Sequence, residues 1–227
     1  MYFSIEKDVD RDEIMTSKNI SFIIILFIFL GCAASPQRLY DSIESVESNN
    51  VAYKFSEAIK SGQAKEISPN EIVEFELGTG NPIIELANGH EYRTFYRLLE
   101  FTGSTGSTVS FKIKSSCKCM PVFRETIVYP VAYILDSDGE VLTSDPIKWE
   151  RKHDFILTGL TYEGVWQAKI PEDGKYFLLV AADNSFVGVV LGINYPLILP
   201  DSPEAYILSS PSGEVAVKMT TNQTADP

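Results

Sequence analysis

Cysteine, histidine and basic residues are all in short supply, and each shortage excludes something. Three cysteines and two histidines are too few for most zinc sites. Lysine and arginine number 19 against 31 aspartates and glutamates, a formal net charge of −12. Such an acidic surface repels phosphate backbones, so no nucleic acid partner is expected, and it gives no hold on anionic lipid. The strongest apolar run, Ser21 to Leu30, falls short of the about 20 residues that span a bilayer. No long helical pattern follows residue 67 and no repeat of fixed period is present. His90 and His153 stand alone, with no Ser/His/Asp order, nucleophile elbow or H-E-x-x-H, and no carboxylate pair is singled out from the acidic surface. The expectation is a protein without catalytic residues, metal or cofactor.

What the chain does have is short apolar runs separated by turns. The organising stretch is Pro121 to Asn184. Val131, Tyr133 and Leu135 alternate with Ala132 and Ile134, D-S-D-G (Asp136 to Gly139) breaks the run, and Val141 and Leu142 resume it. Val165 to Ile170 and Tyr176 to Ala182 flank P-E-D-G (Pro171 to Gly174). These are hairpin signals. Before this block, Val73, Phe75 and Leu77 alternate with glutamates, Ile83, Ile84 and Leu86 form a short run, and Tyr92 to Phe101 a longer one with Phe95, Leu99 and Phe101 facing the core. Val109, Phe111 and Ile113 alternate with Ser110, Lys112 and Lys114, and Val215, Val217 and Met219 close the series. Gly188 to Pro200, with Pro196 and Pro200, reads as a covering loop with short extended pieces. Val51, Phe55, Ala58 and Ile59 suggest one short amphipathic helix, capped within Ser48 to Asn50 and ended by Gly62. The fold expected is mainly β, an antiparallel β-sandwich (jelly-roll-like) with a short N-terminal helix. With 44% hydrophobic residues, residues 51–222 suffice for a single domain, followed by a tail over 223–227.

Residues 1–31 read as a signal peptide. Lys18, the apolar run and Gly31-Cys32-Ala33-Ala34-Ser35 give a positive start, a hydrophobic centre and small residues at the cut. A cysteine directly after Gly31 resembles a bacterial lipoprotein signal, with lipid on Cys32 and residues 32–50 as a tether. Five acidic residues before Met15 oppose a signal start, so translation is expected to begin at Met15, leaving 1–14 outside the protein. Lipid on Cys32 makes the membrane a partner through an anchor. Ala33 in place of an inner-membrane retention aspartate points to the periplasm, with attachment to the outer membrane.

The order of elements resembles the maltose operon periplasmic protein family of Gram-negative bacteria. The pieces that carry it are P-V-A-Y-I-L-D-S-D-G-E-V (Pro130 to Val141), G-L-T-Y-E-G (Gly159 to Gly164), K-Y-F-L-L-V-A-A (Lys175 to Ala182), G-I-N-Y-P-L-I-L-P-D-S-P-E-A-Y (Gly192 to Tyr206) and G-E-V-A-V-K (Gly213 to Lys218). The likeness runs roughly over residues 51 to 219. It implies a non-enzymatic accessory of maltose or maltodextrin uptake, with maltodextrin or a transport component as partner. The family offers no catalytic motif to carry over. A second class of function stands beside it: a structural envelope lipoprotein that docks to another envelope protein.

Three local features are candidates for chemistry. Cys117-Lys118-Cys119 is expected to form a disulfide in an oxidising compartment. Alternate residues of a strand lie about 6.6 Å apart, near the upper limit for a bridge, so the segment must turn. Free or partner-linked thiols, and redox or metal work, are the alternatives. Asp136, Asp138 and Gly139 loosely resemble a calcium loop, but Ile147 stands where the bidentate glutamate belongs, and a hairpin turn is the simpler reading. Trp149 and Tyr162 are the candidate ligand-binding rings, with Trp166, Tyr92 and Tyr96 as further aromatics. Glu150, Arg151, Lys152 and His153 are placed to supply polar partners for sugar hydroxyls. Against this, Trp149 is equally placed to cover the sheet edge beside Pro146.

Replacing Cys32 by Ser tests the anchor. We expect the variant to lose processing and to leave the membrane fraction; a variant still processed and still sedimenting with membranes rules out lipidation.

Overall fold

The computed structural model describes residues 35–61, 63–87, 90–117, 125–154, 159–194 and 205–222. The expected signal peptide, the lipid site at Cys32 and the start at Met15 lie outside these residues, as do Cys119 and the tail. The elements in chain order are helix α1 (Pro36–Glu44), a 3-10 turn (Ser48–Asn50), β1 (Val51–Ala52), helix α2 (Phe55–Lys60), β2 (Lys65–Glu66), β3 (Ile72–Leu77), β4 (Ile83–Ala87), β5 (Glu91–Gly103), β6 (Thr108–Ser116), β7 (Glu125–Ile127) and β8 (Pro130–Leu135). Then come β9 (Val141–Thr143), β10 (Lys148–Asp154), β11 (Gly159–Lys169), β12 (Gly174–Ala182), a second 3-10 turn (Asn184–Phe186), β13 (Val190–Asn194), β14 (Ala205–Ser209) and β15 (Gly213–Asn222).

The fold is a β-sandwich. One sheet has the order β1-β4-β5-β12-β8-β9, with β2 alongside β5. The facing sheet has the order β10-β11-β6-β15-β3, and a small third sheet has the order β13-β14-β7. The long ladders are antiparallel, as between β12 and β5 or β15 and β6; three short pairings, β1 with β4, β2 with β5 and β14 with β7, are parallel.

Period-two alternation decides what each strand buries. From the first sheet Leu99, Phe101, Leu178, Val180, Ala132 and Ile134 enter the central core; from the second, Val109, Phe111, Ile113, Trp166, Val215 and Val217 meet them. Phe101 and Phe111 touch across the sandwich at 5.0 Å in an edge-to-face pair, the geometry ring quadrupoles favour. The outer face of the second sheet is polar, with Lys112, Lys152 and Glu163 linked there.

The first sheet has no wet face at its centre. Tyr92, Tyr96, Leu98, Phe177 and Leu179 form a second apolar layer with Ala58, Phe55 and Ile59 of α2. So Tyr92 to Phe101 does send Leu99 and Phe101 to the sandwich core, but its alternate row is buried too. Phe95 packs in a third cluster with Ile43, Val51 and Ile83.

Three expectations need correction. The expected tether over 32–50 contains α1, whose Leu39 and Ile43, with Val46 just past the helix end, make an apolar stripe; Ile43 is 1% exposed. Arg93 fixes the helix end by donating from Nη1 to the carbonyls of Glu44 (2.9 Å) and Val46 (2.8 Å). The expected helix through Val51 is shorter: Val51–Ala52 pairs with β4 instead, and only Phe55–Lys60 is helical. P-E-D-G does not close a hairpin, because β11 and β12 belong to different sheets. The chain arches between layers there, beside the β5–β6 arch, and the two arches are tied by Ile170 N–H to Ser107 O (2.8 Å) and Thr105 N–H to Asp173 Oδ1 (2.6 Å). Within Gly188 to Pro200 one short extended piece is present as expected: Val190–Asn194 is a strand that pairs with β14 around a bulge.

The D-S-D-G segment is a hairpin turn between β8 and β9. Asp136 Oδ1 accepts from the N–H of Asp138 and of Glu140, each at 2.9 Å, an Asx-type turn. Gly139 at φ +89° sits so close to Ser56 that a Cβ would meet its backbone N at 2.5 Å.

Because Phe111 is fully buried between the sheets, Phe111→Ala should lower unfolding free energy by about 3–5 kcal/mol. Urea denaturation followed by circular dichroism measures this, and a loss under about 1 kcal/mol would contradict the assigned core.

Candidate ligand cleft

Trp149 stands on β10, paired in register with Gly164 of β11. Gly164 has no side chain, and two indoles use the space. A Cβ there would lie 2.5 Å from Trp166 Cη2 and 2.6 Å from Trp149 Cε3. The two rings meet edge to face at 5.9 Å. Trp166 is 1% exposed, and its Nε1–H donates to Ser144 O at 3.0 Å. That bond, with Ile147 N–H to Val165 O at 2.7 Å, pins the β9–β10 loop against the sheet.

Tyr129, just before β8, is the hub of the remaining rings. It lies 5.1 Å from Trp149, 5.3 Å from Tyr162 and 5.7 Å from Phe186. Trp149 and Tyr162 are stacked, 5.8 Å apart at 28°. The two predicted rings are thus in contact, but in different roles. Trp149 forms a wall of an open cleft of about 290 Å³, together with Tyr129, Tyr133, Trp166 and Phe186. Tyr162 is buried behind it, its hydroxyl directed at Leu191 O (3.4 Å), and it positions Trp149 rather than lining the space. Phe186, 45% exposed, forms the rim.

The polar groups of the cleft are Ser144, Asp145 and Asp183. Asp183 follows directly on β12 and is only 3% exposed. Its N–H donates to Tyr129 O at 2.8 Å, locking the ends of the two chain segments together. Its Oδ1 caps the second 3-10 turn, accepting from Ser185 N–H (3.1 Å) and Ser185 Oγ–H (2.5 Å). Burial first, and the Asp183 charge second, push the Tyr129 phenol up; burial, Asp183 and Asp145 do the same to Tyr133. Behind the cleft, Tyr92 is raised by burial and then by Asp183, although its hydroxyl makes no hydrogen bond of ordinary length. All three phenols therefore stay neutral around a negative centre.

The polar partners expected next to Trp149 are placed differently. Alternation along β10 sends Glu150 and Lys152 to the opposite face of the sheet. There Glu150 pairs with Lys148 and Lys152, which hold its carboxyl down at about 2. Lys152 also reaches Glu163, where burial pushes the carboxyl up but Lys112 and Lys152 outweigh it. Arg151 shares the row of Trp149 but lies against Gly192, outside the cleft lining. Tyr92 and Tyr96 belong to the layer under α2, with the Tyr96 and Ser61 hydroxyls 3.1 Å apart, away from Trp149.

Cys117 is buried as a disulfide cysteine, but Cys119, the partner expected for it, lies outside the described residues. Among the described residues, no group of three His, Cys, Asp or Glu gathers as a metal site. A larger depression of about 530 Å³ lies over β3, β15 and β6, between Glu74, Glu76, Lys114 and Glu214, and Phe75 is the single aromatic ring among its described lining residues.

No family model matches the chain, and no curated protein matches it. Among solved structures, the pre-peptidase C-terminal domain of collagenase from Bacillus anthracis is similar at 11% identity, covering 69% of this chain and 94% of that one, with a TM-score of 0.31. A surface-associated copper-binding protein of Methylomicrobium album BG8, important in its copper acquisition, is similar at 8% identity, covering 76% of this chain and 100% of that one, with a TM-score of 0.36.

Gly164→Ala should disrupt the indole pair, costing about 1–3 kcal/mol and changing the near-ultraviolet dichroism of the tryptophans. Gly174→Ala, whose new Cβ would meet nothing nearer than 3.8 Å, should stay within about 0.5 kcal/mol of wild type. Equal effects at both positions would show that the two indoles do not depend on Gly164.

Proposed function

We propose that this chain is a non-enzymatic accessory protein of maltose or maltodextrin uptake, held on the periplasmic side of the outer membrane by lipid on Cys32, and that it takes sugar at the Trp149 cleft. The observation that carries this reading is the cleft itself: five aromatic rings around about 290 Å³, with Ser144, Asp145 and Asp183 as acceptors. Sugar rings present apolar C–H faces that pack on indole, and their hydroxyls donate to carboxylates. At the lower end of the size range for small-molecule pockets, the cleft suits one or two sugar units at the end of a chain rather than a long segment. The resemblance to the maltose operon periplasmic proteins points to the same ligand class. Tyr162 supports the site from behind, and the expected Cys117–Cys119 bridge would brace the segment after β6.

Calorimetric titration with maltoheptaose tests the proposal. Wild type should release saturable heat, and Trp149→Ala should lose it while keeping its far-ultraviolet dichroism. No heat from wild type at millimolar sugar would end the sugar reading and leave a docking lipoprotein as the better account.

A further inference from the structure

The cleft carries a charge pattern that a neutral sugar does not need. Two carboxylates line it, Asp145 at the lip and Asp183 in the wall, and among the described residues no lysine, arginine or histidine lines it. Asp183 is the telling one. A carboxylate buried this far ordinarily sits beside a cation or inside a full set of hydrogen bonds. Here the hydrogen bonds of ordinary length come from Ser185 and both fall on Oδ1, with the neutral Tyr92 hydroxyl near the carboxylate and no cation described beside it. Among the described residues, Arg93 is engaged with Glu85 and the end of α1, and Lys148 and Lys152 with Glu150 across the sheet, while Arg151 lies against Gly192 and acts on Tyr162, outside the cleft lining. Around the carboxylates stand five aromatic rings, a residue type whose π faces attract a cation. The negative field reaches the walls, since it contributes to raising Tyr129 and Tyr133.

We propose that the cleft selects an organic ammonium group, seated against Trp149, Tyr129 and Phe186, with Asp183 as its buried counter-charge. Aromatic walls favour a large, weakly hydrated cation over a small hard one. Calcium would want six to eight converging oxygen ligands, and the described residues gather no group of three His, Cys, Asp or Glu that would hold it. The volume admits a trimethylammonium head or the amino-bearing ring of an aminated sugar. The acidic chain, at −12 overall, draws cations toward it. This inference rests on the cleft being the ligand site, but not on maltodextrin being what fills it.

Choline and 3,3-dimethylbutanol have nearly the same shape and differ in charge, so they isolate the proposed interaction. Each is titrated into the full mature protein at constant ionic strength, following tryptophan fluorescence, with maltoheptaose and a glucosamine trimer as further arms. Choline or the glucosamine trimer should saturate, and choline should bind at least about tenfold tighter than the neutral alcohol. Asp183→Asn keeps the Oδ1 acceptor for Ser185 and should bring choline and the alcohol to parity. If that variant fails to fold, Asp145→Asn, at the exposed lip, should reduce the choline preference by a smaller factor. Choline and glucosamine separate a free ammonium ligand from an aminated sugar, and saturation by either supports the proposal. Maltoheptaose binding with no preference for either cation overturns this inference and leaves the proposed function standing. Cation binding without maltoheptaose binding does the reverse. No saturable change with any of the four overturns both.

Discussion

The structure depends on a strand pair that is apolar on both faces. β5 and β12 pair from Gly174 with Gly103 to Ala181 with Tyr96, and burial in β12 is unbroken from Tyr176 to Ala182. A sheet with such a centre must be covered twice. The second sheet covers one side through Phe111, Ile113, Trp166 and Val217; α2, with Tyr40 of α1, covers the other. Each face withdraws roughly 2–3 kcal/mol of transfer free energy per large side chain, so neither cover is optional. This is why the chain before residue 51 is folded against the sandwich rather than strung out as a spacer, and why Arg93 is spent holding the end of α1.

The same pair sets the place of the cleft. β12 stops being apolar at Asp183, where the chain turns into a 3-10 segment, and β8 begins one residue after Tyr129. The hydrogen bond from Asp183 N–H to Tyr129 O closes the ladder at its last rung. Beside that rung, Trp149 of β10 and Trp166 of β11 meet Tyr129, Val131 and Tyr133 around the cleft. Gly164 lets the two indoles share the position of one side chain there.

Much of this was legible because it is local. The alternation in β6 and β15, the Asx turn at Asp136 and the partial exposure of Trp149 all follow from nearest neighbours along the chain. The misreadings share a cause. P-E-D-G has the same turn chemistry whether its flanking strands pair or face one another, and only the non-local partners, β8 and β5 for β12 against β6 and β10 for β11, decide between hairpin and arch. β10 escaped as a strand because Lys148, Glu150 and Lys152 on its wet face mask the inward Trp149. α1 escaped because a stripe of three residues is weak until Phe95 and Ile83 are seen to receive it. Asp183 carried no signal at all: a polar residue at the end of an apolar run reads as a strand end, and its burial comes from Tyr129, a partner 54 residues earlier.

Where the basic residues go is as informative as where the acidic ones stay. Along β10 the pleat gives lysine one face and tryptophan the other, so Lys148 and Lys152 are consumed in a surface chain with Glu150, Glu163 and Lys112. Such solvent-screened pairs add little stability, and their greater consequence is spatial. They neutralise carboxylates where solvent could have screened them, and leave Asp183 unneutralised where it cannot. A one-residue slip of β10 against β11 would reverse the arrangement, putting lysine beside Asp183 and Trp149 in water. The fit of Trp149 over Gly164 holds the register against that slip, so the contact that shapes the cleft also fixes the sign of its charge.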